Sequence, residues 1–405
     1  RMSSTAPQAP APALTGQLFQ VLLATFASAA GFWAWMSIAP LQRTYAQSMG
    51  LAEGEIAMML ATPIIVGSLG RILVGALTDR FGGRKMFTAI LLLAVPAVIL
   101  VSVAGPTHNS PLLLASGFCL GVAGTVFAIG IPFSSAWYEP SRRGFANGVF
   151  GMGMIGTAVS AFVTPRLAQS IGYATTHYVI AGTLVVFAAL VWFLMKESPA
   201  WTPQHQPLVP RIAGALKLAV TWQMCFLYAI VFGGFVAFST FLPKYLTTIY
   251  PQTVDQVGAG NRMGSFVIAA VIARPFGGML ADKLGPKLIS LISLLGVAVM
   301  ATVVSFEPPE GIVTGFAFLF MAACLGLGQG SIFGWVPRIA PKDKAGAVSG
   351  TVAAAGALGG YFPPLVMAAT YDAATNSYRL GLWALVITAV LGLILTAILK
   401  DRRTA

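Results

Sequence analysis

One stretch of this sequence occurs twice, and that duplication limits the possible folds more than any other feature. The first copy, PIIVGSLGRILVGALTDRFGGRK, runs from Pro63 to Lys85, and the second, VIAAVIARPFGGMLADKLGPK, ends at Lys287. An offset of 203 positions aligns Arg71 with Arg274. A chain that repeats one segment in this way is expected to contain two related halves.

Both aligned arginines stand inside apolar segments, eight residues before the aspartate of the polar turn that ends the segment. Eight helical residues rise roughly 12 Å, which reaches close to the middle of a hydrocarbon core about 30 Å thick. A charge at that depth costs about 2.5 to 3.5 kcal/mol or more. Arg71 and Arg274 are therefore the first candidate site residues.

Composition places the chain in a membrane, because 57% of its residues are apolar and 9% are charged, whereas a soluble domain carries about 25% charged residues. We predict an all-α membrane protein with twelve transmembrane helices in two pseudo-symmetric six-helix halves, the arrangement of transporters built from parallel repeats. The predicted spans lie near residues 17–39, 55–78, 86–104, 112–136, 145–168, 176–195, 220–243, 262–281, 287–306, 311–336, 345–370 and 379–399.

The interval ESPAWTPQHQPLVPRIAGALK is long, polar and rich in proline, and it separates the two halves. We predict a cytoplasmic tail at 1–16, a first half at 17–196, a cytoplasmic linker at 197–217, a second half at 218–400 and a tail at 401–405. Most of the 24 Lys and Arg fall on the side of both termini, which indicates cytoplasmic termini. The net charge of +12 therefore reflects membrane topology, and no nucleic-acid partner is expected. The first residues show no features of a cleavable signal peptide.

Glycine-rich segments repeat at the same offset, since Gly153 and Gly156 align with Gly356 and Gly359. Glycines of this kind allow helices to pack closely. Because both runs occupy corresponding helices, we predict that they also line the path of a transported substrate.

The duplicated turns GALTDRFGGRK and GGMLADKLGPK place charges where two helices leave the membrane. We predict a gating role in which the aspartates cap or pair with helix ends of the other half in one state. Topology anchoring is the alternative, and the two roles are compatible. The predicted gating residues are Asp79, Arg80, Arg84, Asp282 and Lys283.

All twelve acidic residues lie at or beyond the ends of the predicted spans, so no carboxylate is available to neutralise the two arginines. We infer that the missing counter-charge is an anionic substrate. A guanidinium offers parallel N–H donors that suit a planar oxyanion, and nitrate, nitrite, formate and oxalate fit that description.

Enzyme chemistry is not expected, because His108, His177 and His205 are all predicted in loops with no ligand or nucleophile nearby. The three cysteines are single residues in apolar segments. We therefore predict neither a metal site nor a cofactor.

These residues together resemble the major facilitator superfamily, and more narrowly its nitrate/nitrite porter (NarK-type) family. The closer resemblance rests on the two arginine segments and on the signatures GMGMIGTAVSAFVTP and AAAGALGGYFPP. It implies that Arg71 and Arg274 clamp the anion. We also predict that residues of the two signatures contribute to substrate binding, namely Gly153, Met154, Gly156, Gly356 and Gly359. It also implies that Tyr228 and Phe232, in FLYAIVFGGFVAF, and Phe127 sandwich the anion. At Met154 the family usually has asparagine, so a polar contact beside the anion is missing here.

The resemblance implies a carrier of nitrate and nitrite that acts as a monomer in the bacterial cytoplasmic (inner) membrane. Exchange of nitrate for nitrite is favoured, because no acidic or histidine side chain at the midplane is available to relay a proton. Proton-coupled nitrate symport is one alternative. Exchange of a small carboxylate such as oxalate or formate is another.

Overall fold

The fold is a bundle of helices, and we describe it from a computed structural model that covers residues 16–139, 143–203, 207–341 and 344–400. This part of the chain contains twelve helices long and apolar enough to cross a membrane, which confirms the predicted fold class. The helices are α1 Gln17–Trp35, α2 Gln42–Met49, α3 Glu53–Phe81, α4 Gly83–Ala104, α5 Ser110–Leu120, α6 Val126–Ala136, α7 Arg143–Gly151, α8 Ile155–Ile171, α9 Tyr173–Leu194, α10 Leu208–Leu216, α11 Ala219–Ile249, α12 Gln256–Leu284, α13 Pro286–Ser305, α14 Ile312–Ile339, α15 Ala345–Leu358, α16 Phe362–Ala369 and α17 Arg379–Ile398.

Several membrane spans consist of two helical pieces. A short 3₁₀ segment at Gly121–Thr125 joins α5 to α6, and another at Met152–Met154 joins α7 to α8. The span that contains α15 and α16 is interrupted at residues 359–361. Glycine favours such local departures from α-helical geometry, so both glycine-rich signatures coincide with irregular helix.

Three helices extend furthest beyond the spans that the hydrophobic pattern predicts. The helices α3 and α12 have 29 residues each, and α11 has 31. At 1.5 Å per residue, α11 is roughly 46 Å long and exceeds a hydrocarbon core of about 30 Å. Their extra turns carry polar side chains, which a hydropathy pattern excludes from a span.

Those extra turns bring the two halves together at the end of the bundle where α3 begins. Lys244 of α11 donates a 2.6 Å hydrogen bond to Glu53 of α3, and the hydroxyl of Tyr378 donates a 2.7 Å bond to the same carboxylate. Gln42 donates to Thr247 at 3.1 Å, and Arg166 donates to Asn261 at 2.8 Å. These bonds join the first half to the second, so the bundle is closed at this end.

One histidine prediction is wrong. His177 lies inside α9, fully buried, where its Nδ1 donates a 2.9 Å hydrogen bond to the carbonyl of Tyr173. The position lies at the edge of the span predicted at 176–195, so the loop assignment conflicted with the hydropathy pattern. His205 lies outside the described residues, as do the tail residues 1–15 and 401–405.

The helix α10 is the only regular element of the linker predicted at 197–217, within the part of it that the structure describes.

Candidate functional site

Two arginines from different halves approach the same pair of aromatic rings. The guanidinium carbon of Arg71, on α3, lies 5.1 Å from the centre of the Phe127 ring and 5.4 Å from that of Phe232. The corresponding distances from Arg274, on α12, are 5.4 and 5.9 Å. The residues aligned by the 203-position repeat therefore meet at one place between the halves.

Arg71 is buried, and part of its guanidinium has no hydrogen-bond partner among the described residues. Only 4% of its surface is exposed, and among the described residues its Nε and Nη1 have no hydrogen-bond partner. Its Nη2 donates one long bond, 3.4 Å, to the carbonyl of Gly124. Buried charged groups are normally paired, since leaving them unpaired is costly. The free donors of Arg71 therefore mark a place for an acceptor.

Arg274 is only partly buried, and its guanidinium has two partners. Its Nη2 donates to the hydroxyl of Tyr228 at 3.3 Å, and its Nη1 contacts the thioether sulfur of Met154 at 3.2 Å. A thioether is a weak acceptor. The side chain at the position where the resemblance expects asparagine thus faces the site arginine.

Aromatic side chains form the walls around the two cations. Tyr228 and Phe232 are stacked with ring centres 5.3 Å apart and planes 7° apart, and Phe127 lies 6.1 Å from Phe232. Tyr228 and Phe232 are fully buried, and Phe127 is 2% exposed. The three aromatic residues named by the resemblance therefore lie around the arginine pair.

No carboxylate pairs with either arginine in the described part of the chain. The ion pairs found there join Lys244 to Glu53, Arg262 to Glu310 and Arg338 to Asp282. The same residues hold no cluster of histidine, cysteine, aspartate or glutamate that could bind a metal ion. The local charge is accordingly positive, and it suits an anion.

The four signature glycines lie at close helix contacts. A β-carbon at Gly153 would stand 2.8 Å from the carbonyl oxygen of Thr25, and one at Gly156 would overlap the backbone of Ala29. A β-carbon at Gly359 would lie 2.7 Å from Ala229. Gly356 alone of the four faces a predicted site side chain, because its β-carbon would overlap the ring of Tyr228. These contacts favour close packing, which in the second half also positions an aromatic wall.

The predicted gating residues lie apart from the arginine pair, and Asp282 pairs with Arg338 of its own half. Asp79 is half-buried within electrostatic range of Arg211 on α10, and Lys283 is exposed. The guanidinium of Arg80 lies 5.5 Å from the Phe81 ring. No hydrogen bond recorded for the described residues links Asp79 to the other half.

The start of α4 is capped by a carboxylate that the sequence did not single out. Glu197 accepts a 2.7 Å hydrogen bond from the backbone N–H of Arg84, whose guanidinium lies 4.7 Å from the Trp192 ring. Burial raises the pKa of the Glu197 carboxyl, and the N–H groups of Arg84 and Gly83 oppose that rise. The duplicated turn is thereby tied to the beginning of the linker.

Sequence reasoning missed two further features. Trp35 lies 5.8 Å from the guanidinium of Arg71. The repeat aligns Trp35 with Phe238, another apolar aromatic residue, so no polar side chain drew attention to this position. Lys244 follows the predicted span by one residue and was treated as a boundary. Glu53, an acidic residue just before the predicted span 55–78, was the sequence signal that could have indicated a contact with Lys244 of the other half.

Comparison with known proteins places these observations in a family. Residues 21–362 and 246–405 match the Major Facilitator Superfamily. A probable nitrate/nitrite transporter NarK2 of Mycobacterium tuberculosis is 50% identical over 95% of this chain and 97% of its own length. A nitrite extrusion protein of Bacillus subtilis is 36% identical over 94% and 93%, and a probable nitrate transporter NarT of Staphylococcus haemolyticus is 36% identical over 93% and 95%.

Solved structures support the fold alone. A bacterial homologue of the human lysosomal transporter Spinster, in an inward-facing and unoccupied conformation, matches 96% of this chain and 99% of its own with a TM-score of 0.74 and 16% identity. The inward-facing and occupied form matches 98% and 100% with a TM-score of 0.72 and 15% identity.

Proposed function

Since the chain belongs to the nitrate/nitrite porter family of the major facilitator superfamily, we propose that it exchanges nitrate for nitrite across the bacterial cytoplasmic membrane. It is a secondary transporter and not an enzyme. The observation that carries the proposed site is the arginine pair, which shares the rings of Phe127 and Phe232 and has no carboxylate partner among the described residues.

The donor geometry supports a small planar anion as the substrate. A guanidinium presents parallel N–H groups that can bind two oxygens of one anion, which a lysine cannot imitate. The Nε and Nη1 of Arg71 are free donors, each of which can form a parallel pair with an N–H of Nη2, and the walls are aromatic. An apolar enclosure favours a weakly hydrated monoanion, because a strongly hydrated dianion loses more on dehydration.

Exchange is supported by the charges that remain when the site is empty. Two guanidinium groups then face the same rings, and like charges repel strongly in a poorly solvated cavity. Closing the bundle around the empty site is therefore unfavourable, and a bound anion removes much of that cost. In the proposed cycle only the loaded carrier changes its accessible side.

The gating proposal concerns both ends of the bundle. The bonds from Lys244 and Tyr378 to Glu53 hold one end closed, and they must break for the site to open there. At the other end, Asp79, Arg80, Arg84, Asp282 and Lys283 lie at or near the ends of α3 and α12. We assign this second end to the cytoplasm from the distribution of Lys and Arg. One chain holds the whole arginine pair, so a monomer suffices.

The decisive experiment is uptake of labelled nitrate into proteoliposomes. Vesicles are loaded with nitrite, formate, oxalate or buffer alone, with and without an imposed pH gradient. We expect saturable uptake with nitrite inside, little uptake with buffer inside and little dependence on the pH gradient. Protein-free vesicles provide the control.

Each alternative has its own result in that assay. Uptake into buffer-loaded vesicles driven by the pH gradient alone would establish proton symport and reject exchange. Stimulation by internal oxalate or formate that matched nitrite would replace the inorganic anions with a small carboxylate as the substrate class.

A further inference from the structure

The two arginines share the rings of Phe127 and Phe232 but differ in their other contacts. Arg274 donates to the Tyr228 hydroxyl and contacts the Met154 sulfur. Arg71 donates one 3.4 Å hydrogen bond to the Gly124 carbonyl. Its Nε and Nη1 have no hydrogen-bond partner among the described residues. A long side chain with four rotatable bonds requires another constraint to aim its donors at an anion.

Trp35 supplies a surface for that constraint. The guanidinium carbon of Arg71 lies 5.8 Å from the centre of the Trp35 ring, and the tryptophan is 1% exposed. Among aromatic side chains, tryptophan interacts most favourably with a cation over its face. The interaction gains strength when water is excluded, as it is beside a buried arginine.

The indole itself is fixed from three directions. Its Nε1–H donates a 2.9 Å hydrogen bond to the carbonyl of Pro63 on α3. A β-carbon at Gly67 would lie 2.8 Å from the indole, and one at Gly124 would lie 2.6 Å from it. Only glycine leaves room for the ring at these two positions. The ring therefore occupies a slot formed by α3 and the 3₁₀ segment Gly121–Thr125.

The slot that holds the indole lies next to the guanidinium of Arg71. The side of Gly124 where a β-carbon would stand faces the indole, and the carbonyl of Gly124 accepts the hydrogen bond of Arg71. Gly67 lies one helical turn before Arg71 on α3. A change in the indole must therefore alter the space in which the guanidinium rests.

We propose that Trp35 is the positioning residue that orients the guanidinium of Arg71, with its free donor positions, toward the anion. It does for the first half what the Tyr228 hydroxyl does for Arg274 in the second half. The inference rests on the proposed binding of nitrate between the arginines.

The test measures nitrate affinity as the rise in the thermal unfolding temperature of purified protein in nitrate over equal chloride. In Trp35→Phe the smaller ring offers the guanidinium a weaker π face and lacks the N–H donor. We expect roughly tenfold weaker nitrate binding, because a buried cation–π contact with the indole is lost. Trp33→Phe is the matched control, because its Nε1–H donates at 3.0 Å to Thr164 on α8.

A double-mutant cycle separates positioning from a general loss of structure. Trp35→Phe should weaken binding in the Arg274→Lys background and have little further effect in the Arg71→Lys background. Equal losses in both backgrounds would overturn the proposal, as would unchanged affinity in Trp35→Phe. If Trp35→Phe does not fold, Trp35→Tyr replaces it in the same cycle. If the wild type shows no response to nitrate or nitrite, the proposed function fails instead.

Discussion

The two halves of this molecule repeat one segment but use it differently. In the first half Arg71 is buried, keeps two free donors and rests against Trp35. In the second half Arg274 is partly exposed and contacts Tyr228 and Met154. The backbone positions are equivalent, whereas the surroundings are not.

The difference shows how a symmetric scaffold makes an asymmetric site. The second half contributes Tyr228 and Phe232 on α11, and the repeat aligns these with Thr25 and Ala29 on α1. The first half contributes Phe127 from another span. In the proposed site, one small anion between two halves needs one set of walls, and duplicated large rings would fill the space that it would occupy.

The largest expected effect comes from Arg71→Lys. Lysine keeps the charge but not the paired donors, and hydrogen bonds to charged groups contribute about 1.5 to 3 kcal/mol. We expect exchange measured as nitrate flux against internal nitrite to fall at least roughly tenfold in Arg71→Lys and less in Arg274→Lys, whose donors are partly engaged. Arg262→Lys, an exposed position on α12 paired with Glu310, is the control. Near wild-type flux in either site variant would rule out the paired-donor arrangement.

The signature glycines provide the second test of the comparison. A β-carbon in Gly356→Ala overlaps the Tyr228 ring, whereas one in Gly156→Ala overlaps the Ala29 backbone. Overpacking costs roughly 1 to 3 kcal/mol. We expect Gly356→Ala chiefly to weaken nitrate affinity and Gly156→Ala chiefly to lower the unfolding temperature. Gly350→Ala, which meets nothing within 4 Å, should change neither. Identical behaviour of the first two variants would mean that the halves use their glycines alike.

Tyr228→Phe removes the hydroxyl that accepts from Arg274 and keeps the ring stacked on Phe232. Because the bond is long at 3.3 Å, we expect a loss of affinity near the low end of about 0.5 to 1.5 kcal/mol. The measurement is the concentration dependence of nitrate-nitrite exchange. Tyr178→Phe, at an exposed position on α9, is the control. A loss as large as that of Arg274→Lys would show that the hydroxyl contacts the anion itself.

The smallest expected effect is that of Met154→Asn. An amide in place of the sulfur gives Arg274 a stronger acceptor and offers the anion a donor. We expect the ratio of nitrate to nitrite affinity to change by a few fold, on the order of 1 kcal/mol or less. Met152→Asn in the same 3₁₀ segment is exposed and serves as the control. An unchanged ratio would place the side chain outside the anion's reach.

Much of this architecture follows from local sequence. Twelve apolar segments predicted the twelve spans, and the repeat singled out both arginines, because the cost of an intramembrane charge can be recognised without a structure. The helices α3, α11 and α12 were predicted too short. Polar side chains such as Lys244 and Glu53 stabilise helix beyond the apolar run only when the opposite half supplies a partner.

By itself, the sequence determined the membrane class, the duplication and the two positions that carry intramembrane charge, because these depend on composition and spacing along one chain. Only the tertiary structure decided that both guanidinium groups share Phe127 and Phe232, that His177 is buried in α9, and that the indole of Trp35 fits between Gly67 and Gly124. Such contacts depend on which helix faces meet, and residues far apart in the chain carry no local record of that choice.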